Sequence, residues 1–197
     1  MSDLKTLFKS VEDSYFVNNS REIDSVLYDA IIEYKVDVSE IILRSLADYE
    51  DFSAYNITQK ELVLYTKNFT VEDAVFILLH ELKHIVQNAS GKFGTSNDTY
   101  PAMVWEGKKF PLAVNAYLFE NDPILYNSLP WELDANRFAL NSKFFLTPKN
   151  FEECFFGGSI DLIHNMDHDP IIANIINTKF DELVTSYIQW YTLKYGT

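Results

Sequence analysis

The sequence has little cysteine, glycine or proline, and it has no long apolar run. Cys154 is the single cysteine among 197 residues, so no internal disulfide can form, which suits a reducing compartment. With 6 Gly and 6 Pro, a linker-rich or fibrous chain is excluded. No apolar stretch approaches the roughly 20 residues of a membrane span, and residues 1–5 lack the basic start of a secretory signal. We therefore expect a cytoplasmic protein.

Basic side chains are also scarce, since 16 Lys and Arg stand against 29 Asp and Glu, for a formal net charge of −13 at pH 7. Phosphate backbones and anionic membrane surfaces attract basic faces and repel acidic ones. We therefore expect neither nucleic acid nor a membrane among the partners. Hydrophobic residues make up 47% of the chain and aromatic residues 15%, which is enough for a packed core in one domain.

Residues 70–91 carry the clearest helix signals in the chain. Thr70 suits an N-cap, and Asp73 stands three residues later, as in a capping box. The unbroken apolar run 74–79 indicates a helix that is buried on most sides. Gly91 is a typical residue to end such a helix.

Apolar periodicity and turn residues predict the remaining elements. A strand over 61–66 and a hairpin over 103–110 are expected, with a turn at 122–123. Predicted helices cover one or two segments within 21–49, then 111–120, 129–146, and a last helix with Asp169 as cap that runs from Pro170 to about residue 195.

Positions 80–84 read His-Glu-Leu-Lys-His, the HExxH pattern. On an α-helix, residues four apart lie about 40° apart and about 6 Å along the axis, so the imidazoles of His80 and His84 can converge on one Zn²⁺. Glu81 points about 100° away from His80, so it can reach a water activated by the metal without ligating it. There it would act as general base, taking a proton from the water and then passing it to the leaving amine.

The alternative is a structural helix whose two histidines only satisfy local hydrogen bonds. That alternative is weakened by the apolar surroundings, because a helix that is apolar nearly all round should not bury a glutamate and two histidines without a strong partner. A catalytic zinc site further needs a third protein ligand and an open position for water.

Positions 132–139 read Glu-Leu-Asp-Ala-Asn-Arg-Phe-Ala on the second strong helix. HExxH followed by this E-x-x-A-N-x-F-A pattern resembles the gluzincin branch of zinc metallopeptidases, above all the ImmA/IrrE-type metallopeptidases and the minigluzincins. The resemblance implies that Glu132 is the third zinc ligand. It also implies that Asn136 stands where gluzincins often place an aspartate that orients a ligating histidine. Asp134 on the same helix is the main alternative ligand.

The resemblance covers roughly residues 60–146, and the chain departs from the ImmA/IrrE pattern. About 45 residues separate the two motifs, and neither a helix-turn-helix module nor a basic DNA-binding segment is identifiable. Cleavage or sensing of a transcriptional repressor is therefore only suggested by the resemblance.

Together these observations predict an α+β, zincin-like fold. A small mixed sheet would pack on the active-site helix, beside a second metal-ligand helix and a helical C-terminal segment. We expect a metallopeptidase domain over residues 1–146 and a C-terminal segment over 147–197 that packs on the same domain. The sequence leaves the oligomeric state open.

The expected activity is that of a zinc metalloendopeptidase, with one Zn²⁺ per chain and a peptide or protein substrate. The first alternative is a catalytically silent or latent zincin-fold regulatory protein whose cleft is plugged by the C-terminal segment. The second is a structural domain without metal. An intact Glu81 favours the enzyme, since a scaffold needs no buried general base.

Several further residues are weaker candidates. Tyr126 and Tyr100 flank the metal-binding helices and could stabilise the transition state, although core or surface packing is the commoner role of a tyrosine. The strand 61–66 could offer a sheet edge to an extended peptide. His164 and His168 share the i,i+4 spacing, but a solvated loop is the simpler interpretation. That segment or Cys154 could also occlude the zinc.

Overall fold

A computed structural model describes residues 4–45, 53–64, 70–145 and 170–196. The predicted boundary between residues 146 and 147 lies outside these ranges, as do Cys154, His164, His168 and Asp169. The helices are α1 (Leu4–Leu7), α2 (Asp13–Asn18), α3 (Arg21–Glu33), α4 (Val71–Ala89), α5 (Leu112–Asn121), α6 (Pro123–Asn127), α7 (Pro130–Leu140) and α8 (Pro170–Tyr195). The strands are β1 (Ser10–Val11), β2 (Ile42–Ser45), β3 (Ala54–Asn56), β4 (Glu61–Leu64), β5 (Phe93–Ser96), β6 (Ala102–Trp105) and β7 (Lys108–Pro111). The predicted α+β class is confirmed.

The described residues fall into two compact units. The first lies within Met1–Ser90 and Asp134–Pro148, and the second within Gly91–Leu133 and Lys149–Thr197. The division falls inside α7, between Leu133 and Asp134, so this one helix contributes residues to both units.

The first unit contains a mixed four-stranded sheet in the order β1-β2-β4-β3. Strands β1, β2 and β4 run parallel, and β3 pairs antiparallel with β4. Leu43, Leu62 and Leu64 are buried, because alternate residues of β2 and β4 face the core. The predicted strand 61–66 is present over Glu61–Leu64, with residues 65 and 66 outside the described ranges, but it lies inside the sheet. The expectation that it offers an edge to a peptide is wrong, and β3 has the end position.

Helix α4 begins and ends as its sequence predicts. The Thr70 side chain accepts a hydrogen bond from the Asp73 backbone N–H, and the Asp73 carboxylate accepts one from the Thr70 backbone N–H. This reciprocal pair is a capping box. The helix ends at Ala89, and Gly91 follows in the left-handed region at φ 72°, which glycine adopts at little cost.

The prediction that helix extends across 21–49 is correct only for its first half. Helix α3 ends at Glu33, Lys35 takes a positive φ of 52°, and residues 42–45 form strand β2. The run at Ile41 and Ile42 fits a helix and a strand equally well over a short window. Pairing with two neighbouring parallel strands decides for the strand, since it satisfies backbone groups on both sides.

The second unit contains the antiparallel sheet β5-β6-β7. Glu106 and Gly107 form the turn between β6 and β7 at positive φ values of 47° and 81°, as a tight hairpin requires. Trp131 is almost fully buried, and its ring lies 5.3 Å from Phe93 and 5.1 Å from Phe110 between centroids. The predicted hairpin is confirmed, and these rings form the core beside it.

The remaining helices follow the predictions with shifted ends. Asp122, expected in a turn, caps α6 by accepting a hydrogen bond from the Leu125 backbone N–H. Helix α7 ends at Leu140, short of the predicted residue 146, and α8 runs from Pro170 to Tyr195 as expected. Helix α8 contacts β7 and α5. None of the helices within the described ranges is long and apolar enough to cross a membrane.

The capping box should stabilise the helix that carries the HExxH motif. Replacing Thr70 with Ala removes one bond of the reciprocal pair, so we expect the free energy of unfolding to fall by about 1 kcal/mol. Urea denaturation with a chelator present measures this effect without a contribution from bound metal. Thr185→Ala, an exposed site in α8, is the matched control and should cost less. Equal losses for both variants would contradict the capping role.

Candidate metal centre

His80 and His84 face each other on one side of helix α4. Their Nε2 atoms lie 2.9 Å apart, and their rings meet nearly edge to face, with 4.6 Å between centroids. His84 is buried and His80 is half-buried. The i,i+4 spacing therefore brings both imidazole nitrogens to one point, as the sequence predicts.

Each histidine is held from behind by a side-chain amide. His80 Nδ1 lies 2.8 Å from Asn136 Oδ1, and His84 Nδ1 lies 2.7 Å from Gln87 Oε1. The Gln87 nitrogen donates to Asp134 Oδ2 at 3.0 Å, which fixes the oxygen end of this amide toward His84. Since amide oxygens only accept, both Nδ1 atoms carry the ring hydrogen. The histidines thus adopt the tautomer whose Nε2 lone pairs are available.

In these tautomers the two Nε2 lone pairs would face each other across the 2.9 Å that separates the nitrogens, and they would repel. A cation between the nitrogens relieves this repulsion, either a shared proton or a metal ion. The position of a third donor distinguishes the two, because a metal ion collects three or more ligands.

Glu132 supplies that third donor. One ligand atom from each of His80, His84 and Glu132 lies within 4.8 Å of the other two. Glu132 and Asn136 belong to the same uninterrupted helix, one turn apart, and Asn136 is already bound to His80. The Tyr126 hydroxyl donates to Glu132 Oε1 at 2.9 Å and orients the carboxylate. In the part of the chain that the structure describes, these three residues can hold a metal ion.

Helix α7 is linked to α4 by the hydrogen bond between Asn136 and His80, and it carries two buried alanines beside that contact. Ala135 and Ala139 are fully buried, as expected for close helix packing. Asn136 is 1% exposed, and an amide buried to this degree needs the hydrogen bond that His80 provides.

Glu81 is buried beside the two histidines but does not belong to the group of three. Its Oε2 accepts a hydrogen bond of 2.7 Å from the Tyr55 backbone N–H on β3. Burial raises the pKa of the Tyr55 phenol above its usual range, so its hydroxyl stays protonated and can donate to Asn88 Oδ1 at 3.4 Å. The end strand of the sheet thus touches the residue predicted as general base.

The structure separates the other candidates. Asp134, the alternative third ligand, binds Gln87 and forms an ion pair with Lys83 at 3.3 Å. Tyr100 packs edge to face on Tyr187 and Tyr191 of α8. Tyr126 is the tyrosine that contacts the candidate ligand set.

Sequence reasoning missed two contributors. Gln87 stands three residues after His84, and helical periodicity alone places it on the same face. Tyr55 acts through its backbone, so no side-chain motif could indicate it.

Comparisons of the chain with known protein families, with curated proteins and with solved structures find no match. The resemblance to gluzincins stays a prediction from the two motifs.

Glu132 should be essential for metal binding. Loss of a partner behind a ligand already weakens affinity about 10–100-fold, so Glu132→Gln should weaken zinc binding by more than about 100-fold. Competition with a chromogenic chelator measures this affinity. Glu120→Gln, an exposed site in α5, removes the same charge and should leave the affinity unchanged. Unaltered affinity in Glu132→Gln would exclude Glu132 as a ligand.

Proposed function

We propose that this protein is a zinc-dependent metallopeptidase with one Zn²⁺ per chain. The observation that carries the proposal is the pair of Nε2 atoms at 2.9 Å, both Nδ1 atoms being occupied by amides, with the Glu132 carboxylate beside them. Two imidazoles and one carboxylate form the protein ligand set of many catalytic zinc sites.

The donor chemistry fits zinc on two grounds. Neutral imidazole nitrogen suits zinc and neighbouring transition metals, whereas Mg²⁺ and Ca²⁺ prefer oxygen ligands alone. Three protein ligands also leave a tetrahedral position free. When bound, zinc would supply Lewis acidity for the scissile carbonyl and lower the pKa of a water molecule.

The chain's own residues would then perform the proton transfers. Glu81 takes the proton from the attacking water and passes it to the leaving amine. Its burial, with 6% exposure, excludes competing solvent, and the Tyr55 N–H holds one oxygen of the carboxylate in a fixed direction. Tyr126 keeps the Glu132 carboxylate turned toward the histidines.

A peptide substrate is supported by the position of β3. This strand is at the end of the four-stranded sheet as described, and its central residue Tyr55 contacts Glu81. An extended peptide alongside β3 would therefore pass next to the general base, and strand addition to a sheet edge is a common mode of peptide binding. The proposed docking strand is β3 and replaces the predicted 61–66.

The silent or latent alternative shares the same metal ligands and differs in activity. Its plug would come from residues 147–197, of which 147–169 lie outside the described ranges. Glu81 favours the enzyme, because a buried carboxylate beside a ligand set costs stability that a binding scaffold has no reason to bear.

The general base can be tested by one isosteric substitution. Glu81→Gln keeps the shape of the side chain but cannot accept the water's proton, so hydrolysis should fall by about 10²–10⁴-fold. Zinc affinity should stay within about threefold of the wild type, because Glu81 is not among the ligands. Labelled unfolded casein and a peptide library read by mass spectrometry provide the substrates.

Two results would contradict the proposal. Full hydrolytic activity in Glu81→Gln would show that the mechanism is wrong. A wild-type protein that binds zinc stoichiometrically but cleaves none of these substrates would favour the silent alternative. Glu120→Gln serves again as the control and should retain both activity and zinc.

A further inference from the structure

The two metal-facing histidines have unlike surroundings. His80 is bound by the Asn136 amide, whereas His84 is bound by the Gln87 amide, which is bound in turn by the Asp134 carboxylate. The chain from Asp134 through Gln87 to His84 lies entirely within the first unit and connects α7 to α4.

We infer that Asp134 and Gln87 form a relay that sets the ring tautomer of His84 and thereby its ability to ligate a metal. Both are positioning residues, because neither belongs to the group that can hold the ion. The inference rests on the proposed metal centre but does not require peptidase activity.

The orientation of the Gln87 amide depends on Asp134. Its two ends have similar shapes, so packing alone does not choose which end faces His84. Asp134 does choose, because a carboxylate only accepts hydrogen bonds and must therefore face the amide nitrogen, here at 3.0 Å. The oxygen end is left for His84 Nδ1, at 2.7 Å.

The orientation of the Gln87 amide in turn sets which ring nitrogen of His84 carries the hydrogen. An amide oxygen at Nδ1 requires a hydrogen there, which leaves the Nε2 lone pair free for a metal. A reversed amide would donate to Nδ1 and select the tautomer with hydrogen on Nε2, which cannot ligate. Asp134 thus determines, through the orientation of the Gln87 amide, which ring nitrogen of His84 can ligate a metal.

Gln87 and Asp134 differ in how far solvent reaches them. Gln87 is 1% exposed, so water cannot replace a partner that it loses. Lys83 Nζ lies 3.3 Å from the same Asp134 Oδ2 that accepts from Gln87, and the side chain of Asp134 is 38% exposed. Asp134 is therefore accessible enough to be substituted without opening the core. A substitution of Lys83 removes the ion pair but keeps the hydrogen bond between Asp134 and Gln87.

A double-mutant cycle on zinc affinity tests the relay. The single variants are Asp134→Asn, which lets the amide reverse, and Gln87→Met, which removes it at similar volume. We expect zinc affinity to fall about 10-fold in Asp134→Asn and about 10–100-fold in Gln87→Met. Because Asp134 acts through Gln87, the double variant should bind zinc within about twofold of Gln87→Met.

The matched control is Lys83→Met, which removes the ion pair and leaves the relay intact. It should change zinc affinity by less than about threefold, because a partly exposed ion pair contributes little and no hydrogen bond of the relay involves Lys83. Thermal unfolding in chelator shows whether each variant folds. If Gln87→Met does not fold, Gln87→Leu replaces it in the same cycle, since it also removes the amide and adds no charge beside Asp134.

A ring spectrum provides a readout that a structural role would not change. In zinc-loaded protein with ¹⁵N-histidine, the wild type should show protected Nδ1–H signals for both ligands. Gln87→Met should lose or shift the His84 signal and keep that of His80, which Asn136 holds.

The outcomes separate the relay from the proposed function. Additive losses in the cycle, or a Lys83→Met effect equal to that of Asp134→Asn, would overturn the relay while leaving the peptidase proposal intact. Coupled losses in a protein that hydrolyses no peptide would support the relay and overturn the peptidase. A wild type that binds no zinc would overturn both.

Discussion

The repulsion between two imidazole nitrogens organises the site. With hydrogen on both Nδ1 atoms, the Nε2 lone pairs of His80 and His84 face each other at 2.9 Å, and a cation between them would relieve the repulsion. Asn136 and Gln87 enforce it by occupying the opposite ring nitrogens with acceptors, so neither ring can turn its hydrogen inward. Glu132 then adds the carboxylate that favours a metal ion over a shared proton.

Helix α7 unites several of these constraints in eleven residues. Glu132 faces the histidines, Asp134 faces Gln87, and Asn136 binds His80, each two positions further along the helix. The two alanines of this helix are fully buried. A single helix therefore carries the candidate ligand Glu132, the partner of His80, which is Asn136, and the residue that binds the Gln87 amide, which is Asp134.

Glu81, the proposed general base, is linked to the sheet through the backbone. Glu81 accepts the N–H of Tyr55, the central residue of the end strand β3. If a substrate aligned with β3, the same strand would position both the substrate and the Glu81 carboxylate. Their relative position would then be fixed, as the attack of a water on a scissile bond requires. Strand β3 pairs with β4, which pairs with β2, and both of these strands contribute buried leucines to the core.

Local chemistry determined much of this protein from its sequence. The capping box at Thr70, the end of α4 before Gly91 and the convergence of His80 and His84 all follow from helix geometry and residues within one or two turns. What only the tertiary structure decided involves partners far apart in the chain. Residues 42–45 became a strand because two parallel neighbours were available, although their apolar run fits a helix equally well. Likewise, a carboxylate at position 134 can ligate a metal or orient an amide, and only the placement of Gln87 against it selects the second role.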